Sequence, residues 1–278
     1  MATQYSRTEV IERLRAEVEA GRPIYTVGAG TGISAKFVEV GGGDLISTYP
    51  IAKFRMAGLS SLTGYLPLCD SNATTLAMGE REILPVIKDV PVAAGLLGAD
   101  PTRDMDRFLD RIVDVGFSAV LNCPTLSRVD GNFRRGLEET GLSYQMEVDL
   151  IRLAREKDLF THAFCSDVEE TRMMLDVGCD MIVAHMGNTR GGTTGSKTVL
   201  SMEEVAENLQ EIVDYVKESN PDAFVICHGG PVARPENFAE VMELTENVDG
   251  FMGGSSGERF PVEEGVARVT SDFKGVSL

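Results

Sequence analysis

The sequence predicts an α/β fold, a closed (β/α)8 TIM barrel, on three observations. Eight short apolar runs recur along the 278 residues, each continuous rather than alternating, as parallel strands covered on both faces require. Helical patterns separate most of them, and the whole occupies the roughly 250 residues that such a barrel needs. Segments entering the runs are mostly short and those leaving them are long, which places the elaboration at the carboxyl ends of the strands. A doubly wound open sheet is the rival, but eight regular units without a linker favour closure. One domain over 1–278 is expected, with a leader helix in 1–21 and the barrel in 24–278.

The leader helix opens on a capping box of Ser6 and Glu9, carries Val10, Leu14 and Val18 on one face, and stops at Gly21. Residues 24–28 form the first strand, a brief apolar run ending in glycine. The next three strands fall at 45–49, 91–97 and 119–123, and the last four at 160–165, 181–186, 223–228 and 250–253. Helices are expected over 74–88 and over 101–115, the latter with Asp100 as N-cap ahead of Pro101. A helix over 143–157 follows, then one over 167–177 with an Asp-x-x-Glu start and Gly178 as stop. The helix over 201–219 begins with the box Ser201 and Glu204, and Val205, Leu209, Ile212 and Val216 share a face. Helices over 235–246 and 261–273 complete the set, while 50–73, 124–142 and 187–200 read as long exit loops.

The net charge is −17, which argues against broad binding to nucleic acid or to an anionic membrane. No run approaches the ~20 apolar residues of a membrane helix, and 1–21 is charged throughout, unlike a signal peptide. The 5 cysteines are odd in number and lack a C-x-x-C pair, as in a reduced, cytoplasmic protein. Tryptophan is absent and aromatics are 6%, which weakens any base-stacking function.

The strongest anion signal lies after the last two strands. His228-Gly229-Gly230-Pro231 leaves the seventh, and Gly253-Gly254-Ser255-Ser256-Gly257 leaves the eighth ahead of a helix. Bare backbone lets N–H groups converge, and in barrels this pair of loops frequently holds a phosphate; the competing reading is a pair of tight turns. Gly28 and Gly30, after the first strand, are candidate substrate contacts, but position 33 is Ile, so Gly28-x-Gly30 is no dinucleotide fingerprint and close backbone approach is the simpler reading. The stretch 192–198 resembles a phosphate loop, yet Ser196 stands where glycine must precede Lys197, so a Gly/Thr-rich lid fits better than ATP binding.

All three histidines fall in strands: His162 within the fifth, His185 and His228 at the ends of the sixth and seventh. Their unequal depth disfavours a tri-histidine zinc site, and leaves His185 and His228 as candidate contacts to substrate oxygens or as proton carriers, with a buried, hydrogen-bonded wall group as the competing reading for each of the three. Asp70 lies in the long second exit loop, as a substrate contact or a helix cap. Glu147 shares a helical face with Ile151 and Ala154, so it points inward and is a candidate acid/base, a Mg²⁺ ligand, or half of a structural ion pair. Asn122 ends the fourth strand, where its amide can donate to a developing enolate oxygen. Arg55, Arg128, Arg134, Arg190 and Arg259 sit in or beside exit loops, where any could clamp a carboxylate or phosphate, with a solvated surface position as the default for each. No lysine ends a strand, against Schiff-base chemistry, and Cys123, Cys165 and Cys227 read as small wall residues.

Taken in order, 27–36 (VGAGTGISAK), 55–58 (RMAG), 70–72 (DSN), 98–101 (GADP), 122–125 (NCPT), 130–134 (DGNFR), 137–141 (LEETG), Glu147, 184–187 (AHMG), 227–231 (CHGGP) and 255–263 (SSGERFPVE) resemble the phosphoenolpyruvate hydrolase-like TIM-barrel family. This family, also called the TIM-barrel signal transduction family, includes the C-terminal barrel of plant tobamovirus-resistance proteins. The resemblance implies a barrel of the phosphoenolpyruvate/pyruvate type that assembles as a homo-oligomer through its last helices. A D-x-D metal motif at a strand end and the Lys-Cys loop of phosphoenolpyruvate mutase and isocitrate lyase enzymes do not occur here, since Asp104-Met105-Asp106 falls within the helix expected over 101–115, so no cofactor is assigned and Mg²⁺ stays only a candidate.

Two functions follow as expectations. One is a hydrolase or lyase acting on a small phosphorylated or 2-oxo acid, phosphoenolpyruvate- or phosphonopyruvate-like. There, Gly229, Gly230, Gly254, Ser255 and Ser256 hold the anion with Gly28, Gly30, Arg55 and Asp70, His185 and Glu147 move protons, and Asn122 with His228 steadies an enolate-like oxygen. The other is a non-catalytic ligand-binding or signalling and assembly module on the same barrel.

Overall fold

The computed structural model describes residues 2–278. Its strands are β1 (Ile24–Gly28), β2 (Leu45–Thr48), β3 (Val92–Gly95), β4 (Ala119–Leu121), β5 (Phe160–Cys165), β6 (Met181–His185), β7 (Phe224–His228) and β8 (Gly250–Gly253). They form a closed barrel in chain order, every neighbouring pair parallel, and β8 meets β1 with Ile24 opposite Gly250. The helices are α1 (Arg7–Glu19), α2 (Gly32–Val40), α3 (Pro50–Met56), α4 (Ser71–Met78), α5 (Met105–Val115), α6 (Gly131–Glu139), α7 (Tyr144–Glu156), α8 (Val168–Asp176), α9 (Met202–Ser219), α10 (Pro235–Leu244) and α11 (Arg259–Lys274).

Strand alternation divides the apolar residues between two cores. Leu45, Ala93, Leu121, Phe160, Phe164, Met181, Val183, Phe224, Ile226 and Met252 fill the barrel interior. Their neighbours Ile46, Val92, Val120, Ile182 and Val225 face outward against the helices. α1 closes the amino-terminal mouth: its capping box forms as expected, Val10 and Leu14 pack into the interior core, and Arg7 reaches Asp180 through Nε and Nη2. With that end plugged by α1, the barrel interior is left open at the carboxyl-terminal rim. No helix among the described residues is long and apolar enough to cross a membrane.

Several boundaries differ from the sequence expectation. Asp100 does not cap a helix at Pro101; α5 starts at Met105 with Asp104 as its cap, and the Asp100 carboxylate accepts from Thr102, Asn72 and Arg103 instead. Proline suits the first position of a tight turn as well as that of a helix, so it could not mark the start. The helix expected over 74–88 is α4, capped by Asp70, followed by a π-helical turn Gly79–Ile83. α2, α3 and α6 occupy stretches for which the sequence predicts no helix; they are short, and glycines or Pro50 at their starts mask the apolar period. In α11 only Arg259 and Phe260 are buried, and Val262, Val266, Val269 and Phe273 are exposed.

Candidate functional site

The strand period puts every second residue inside the barrel, and His185 continues the inward series of Met181 and Val183 while His228 continues that of Phe224 and Ile226. His185 and His228 are paired neighbours at the strand ends. His162 also points inward, but it pairs with Met181 at the opposite end of β6, so it lies far below them. There it meets Ser47 Oγ at 3.1 Å, and burial lowers it to about 3. The zinc triad is thus excluded by depth.

Above the two upper histidines opens a rim pocket of about 300 Å³, lined by Arg55, Tyr49, Tyr65, Cys123, His185, His228, Gly254, Ser255 and the 194–196 stretch, among others. The imidazole rings meet edge to face, centroids 4.8 Å apart, each about 5.0 Å from Phe164. Their partners assign opposite tautomers. Gly187 N donates to His185 Nδ1 at 3.1 Å, which leaves the hydrogen on Nε2. His228 Nδ1 donates to the Met252 carbonyl at 2.7 Å, which leaves a lone pair on Nε2. Burial first, and then neighbouring positive charge, lowers His185 well below the usual range and His228 to about 4, so both rings are neutral near pH 7. Burial likewise pushes the Cys123 thiol up, which removes it as a nucleophile.

Arg55 reaches the pocket from α3, as expected of a substrate contact, but its charge is already matched. Its Nε and Nη2 donate to Glu258 Oε2 at 3.1 and 2.8 Å, and Nη2 also donates to the Gly28 carbonyl. Glu258 Oε1 accepts from Gly30 N and Ser34 Oγ, both at 2.5 Å. Both side chains are almost wholly inaccessible, at 3% and 0% exposure. The glycine loop after β1 therefore binds an anion, and that anion is the protein's own carboxylate. Gly28 and Gly30 do not line the pocket: a Cβ at Gly30 would lie 2.1 Å from the Ala52 carbonyl oxygen, and one at Gly28 would strike Tyr49. They are close-approach glycines, as the simpler reading had it.

Glu147 and Asn122 are brought together, but behind the wall. Glu147 accepts from Asn122 Nδ2 (2.7 Å), Thr125 Oγ1 (2.7 Å) and Leu126 N (2.6 Å), with no exposure. Asn122 also bonds both the N–H and the carbonyl of Phe164, so its amide has nothing left for an enolate. Neither lines the pocket; the pair locks the β4 exit to β5 rather than carrying protons or oxyanions. Burial raises the Glu147 carboxyl to about 8 despite its three donors.

The remaining expected contacts divide. Gly254 and Ser255 line the pocket; a Cβ at Gly254 would touch His228 and Arg55. Ser256 faces an outer groove instead. Gly229 and Gly230 fasten the β7 exit to the β6 exit, with Gly230 N donating to the Gly187 carbonyl at 2.9 Å, and lie outside the lining. Asp70 caps α4 and pairs with Arg103 away from the pocket. From the Gly/Thr-rich stretch, Thr194, Gly195 and Ser196 line the pocket. Tyr49, Tyr65 and Glu258 escaped the sequence reading; the only signal for Glu258 was its place in the last family motif. A Mg²⁺ ion is held through carboxylates, yet the pocket lining contains no Asp or Glu and Glu258 is taken by Arg55, so these residues do not fit that ion.

A closed (β/α)8 barrel with one polar, histidine-bearing rim pocket is the class defined by this geometry. The profile of phosphoenolpyruvate hydrolase-like proteins matches residues 9–276, and the chain belongs to that family. It is 47% identical over 278 residues to the tomato (Solanum lycopersicum) ToMV resistance protein Tm-1(GCR237), covering 99% of this chain and 36% of that protein. The chain thus spans about a third of the length of this relative. Among solved structures, a phosphoenolpyruvate phosphomutase from Streptomyces platensis subsp. rosaceus superposes with a TM-score of 0.61 at 16% identity, covering 95% of this chain and 87% of the other. A phosphonopyruvate hydrolase in complex with oxalate and Mg²⁺ gives 0.59 at 17% identity, with coverage of 95% and 87%. At these identities the structures establish a shared fold.

Two stability outcomes follow. Glu258→Gln leaves the Arg55 guanidinium buried without its counter-charge, and chemical denaturation is expected to show a loss of about 3–5 kcal/mol, with the Arg55→Gln/Glu258→Gln double variant losing less than the sum of the singles. Glu147 holds its proton in the fold up to about pH 8 but has an ordinary value of 4.5, so its contribution is fully present below pH 4.5 and is lost as pH rises through 8. The thermal midpoint of wild type should therefore fall more steeply between about pH 5 and 8.5 than that of Glu147→Gln; parallel curves would contradict a protonated Glu147.

Proposed function

We propose that the rim pocket is the active site of a hydrolase or lyase acting on a small phosphorylated or 2-oxo acid of the phosphoenolpyruvate or phosphonopyruvate type. The observation that carries this reading is the pair of neutral imidazoles in opposite tautomers on one small pocket. His185 Nε2–H donates to an oxygen on which negative charge develops, as a neutral imidazole does best when it is not competing to be protonated. His228 Nε2 accepts a proton. A base near 4 is weak in the empty site, and the negative charge of a bound acid beside it raises its affinity for that proton. These roles reverse the order expected from sequence, because the backbone partners decide which nitrogen carries hydrogen. Arg55 Nη1, unused by Glu258 and Gly28, lies beside Gly254 at the pocket wall. No step is assigned to a metal.

The second reading, a ligand-binding module without turnover, is favoured by the lack of any carboxylate in the lining and by the naming of the tomato relative for resistance rather than reaction. A panel of phosphorylated and 2-oxo acids, assayed with and without Mg²⁺, separates the two. Turnover that falls about 10²- to 10⁴-fold in His185→Ala and His228→Gln supports the enzyme. Binding without product in wild type sinks it and supports the module.

We also propose self-assembly through α11. Its exposed Val262, Val266, Val269 and Phe273 form a stripe at helical spacing, and apolar grooves lined by Phe37, Val38, Phe238 and Phe251 flank its start at Pro261. One chain thus offers both a stripe and a groove for it, and a second copy supplies each with its partner. Light scattering after size exclusion should give an oligomer for wild type and a monomer for Val266→Asp/Phe273→Asp; a monomeric wild type contradicts the proposal.

A further inference from the structure

We infer that Arg259 and Glu263, at the start of α11, are positioning residues of the rim pocket: they hold residues 191–193 and thereby fix Thr194, Gly195 and Ser196 as part of its wall. The consequence for a ligand rests on the reading of that pocket as the reaction site; the positioning itself does not.

The segment joining β6 to α9 contains no helix. Its base is tied down by backbone, with Arg190 N donating to the Gly230 carbonyl at 2.9 Å and Ser196 N to the Thr189 carbonyl at 3.2 Å. Between those ties the chain leans on α11. Arg259 Nη2 donates to the Gly191 carbonyl at 3.0 Å, Thr193 N donates to Glu263 Oε1 at 3.3 Å, and Thr193 Oγ1 donates to the same oxygen. Residues 191–195 make no other hydrogen bond among the described residues. Arg259 Nη1 donates to Glu263 Oε1 at 2.8 Å, four residues along the helix, so the two side chains brace each other. Gly192 packs directly on the pair: a Cβ there would lie 2.2 Å from Arg259 Nη1 and 2.7 Å from Glu263 Oε2.

Two further observations tie this pair to the pocket. Arg259 and Phe260 are the buried residues of α11, so the one buried turn of that helix is the turn that grips the segment. Thr194, Gly195 and Ser196, which follow the gripped residues, line the same pocket as His185 and His228, and Thr194 Oγ1 is buried without a partner. Neither Arg259 nor Glu263 is in that lining, so they act through the wall and not on a ligand. A wall hydroxyl serves a ligand only while its backbone is held within about 0.5 Å. A segment without helical or sheet bonds opens at low cost in free energy, and charge-assisted bonds to its peptide groups raise that cost.

The test uses Cys123, which lines the pocket and is buried, as a reporter that needs no ligand. The full chain is treated with N-ethylmaleimide, and the label on each cysteine is followed by mass spectrometry. Exposed Cys69 checks the reagent, while Cys165 and Cys227, buried and outside the pocket, report opening of the whole barrel. Glu263→Ala is expected to speed labelling of Cys123 about 10- to 100-fold with Cys165 and Cys227 unchanged. Thr193→Val should give part of that effect from the other side of the contact. Glu263→Gln should restore most of the protection, because its amide oxygen still accepts. Thr193 is exposed, so Thr193→Val decides if Glu263→Ala does not fold. Cys123 rates equal to wild type in both variants overturn the inference, and so does equal acceleration at Cys123, Cys165 and Cys227, which marks loosening of the whole fold. Faster Cys123 labelling in Glu263→Ala, with no turnover in wild type, upholds the positioning pair and removes the reaction. Unchanged Cys123 labelling, with turnover that depends on His185, removes the pair and leaves the reaction standing.

Discussion

The ion pair between Arg55 and Glu258 sits where the barrel closes, and much of the rim geometry follows from it. Glu258 comes from the segment after β8, Arg55 from α3, and the donors Gly30 and Ser34 from the segment after β1. A carboxylate taken fully out of water must be matched on both oxygens, and here one oxygen faces the guanidinium while the other accepts from backbone and hydroxyl. The arrangement joins the first and last βα units, sets Arg55 along the pocket wall, and uses up the glycine loop that would otherwise attract a ligand.

A second buried carboxylate does comparable work at the far side of the rim with the opposite charge state. Glu147 has three neutral donors and no cation, so burial wins and the proton stays. It mounts the turn that ends in Arg128, while Arg55 is already neutralised. Of the two carboxylates only Glu258 takes a rim cation. The pocket between them has neutral imidazoles, because burial holds them so, and no carboxylate in its lining.

The architecture is largely legible in the sequence because it rests on local patterns. Continuous apolar runs such as 181–186 signal strands covered on both faces, and capping boxes such as Ser6–Glu9 and Ser201–Glu204 mark helix starts within a single turn of chain. The inward direction of His185 and His228 also follows from strand alternation. The site is less legible. Asn122 and Glu147 read as inward-pointing polar residues, yet inward from a helix means toward the sheet, not into the barrel, and their donors satisfy one another. Gly28 and Gly30 read as a loop open to close approach, but nothing local reveals that Glu258, more than two hundred residues away, fills it.

Local sequence alone specifies a parallel eight-stranded barrel, the rim that carries its long exit loops, and the family to which the chain belongs. These are consequences of period, cap and short motif, which neighbouring residues settle among themselves. Which polar groups are paired is settled by the folded chain. Pairing requires an approach of about 3 Å between atoms contributed by separate βα units, and that distance sets which nitrogen of each imidazole bears hydrogen and which carboxylates are spent.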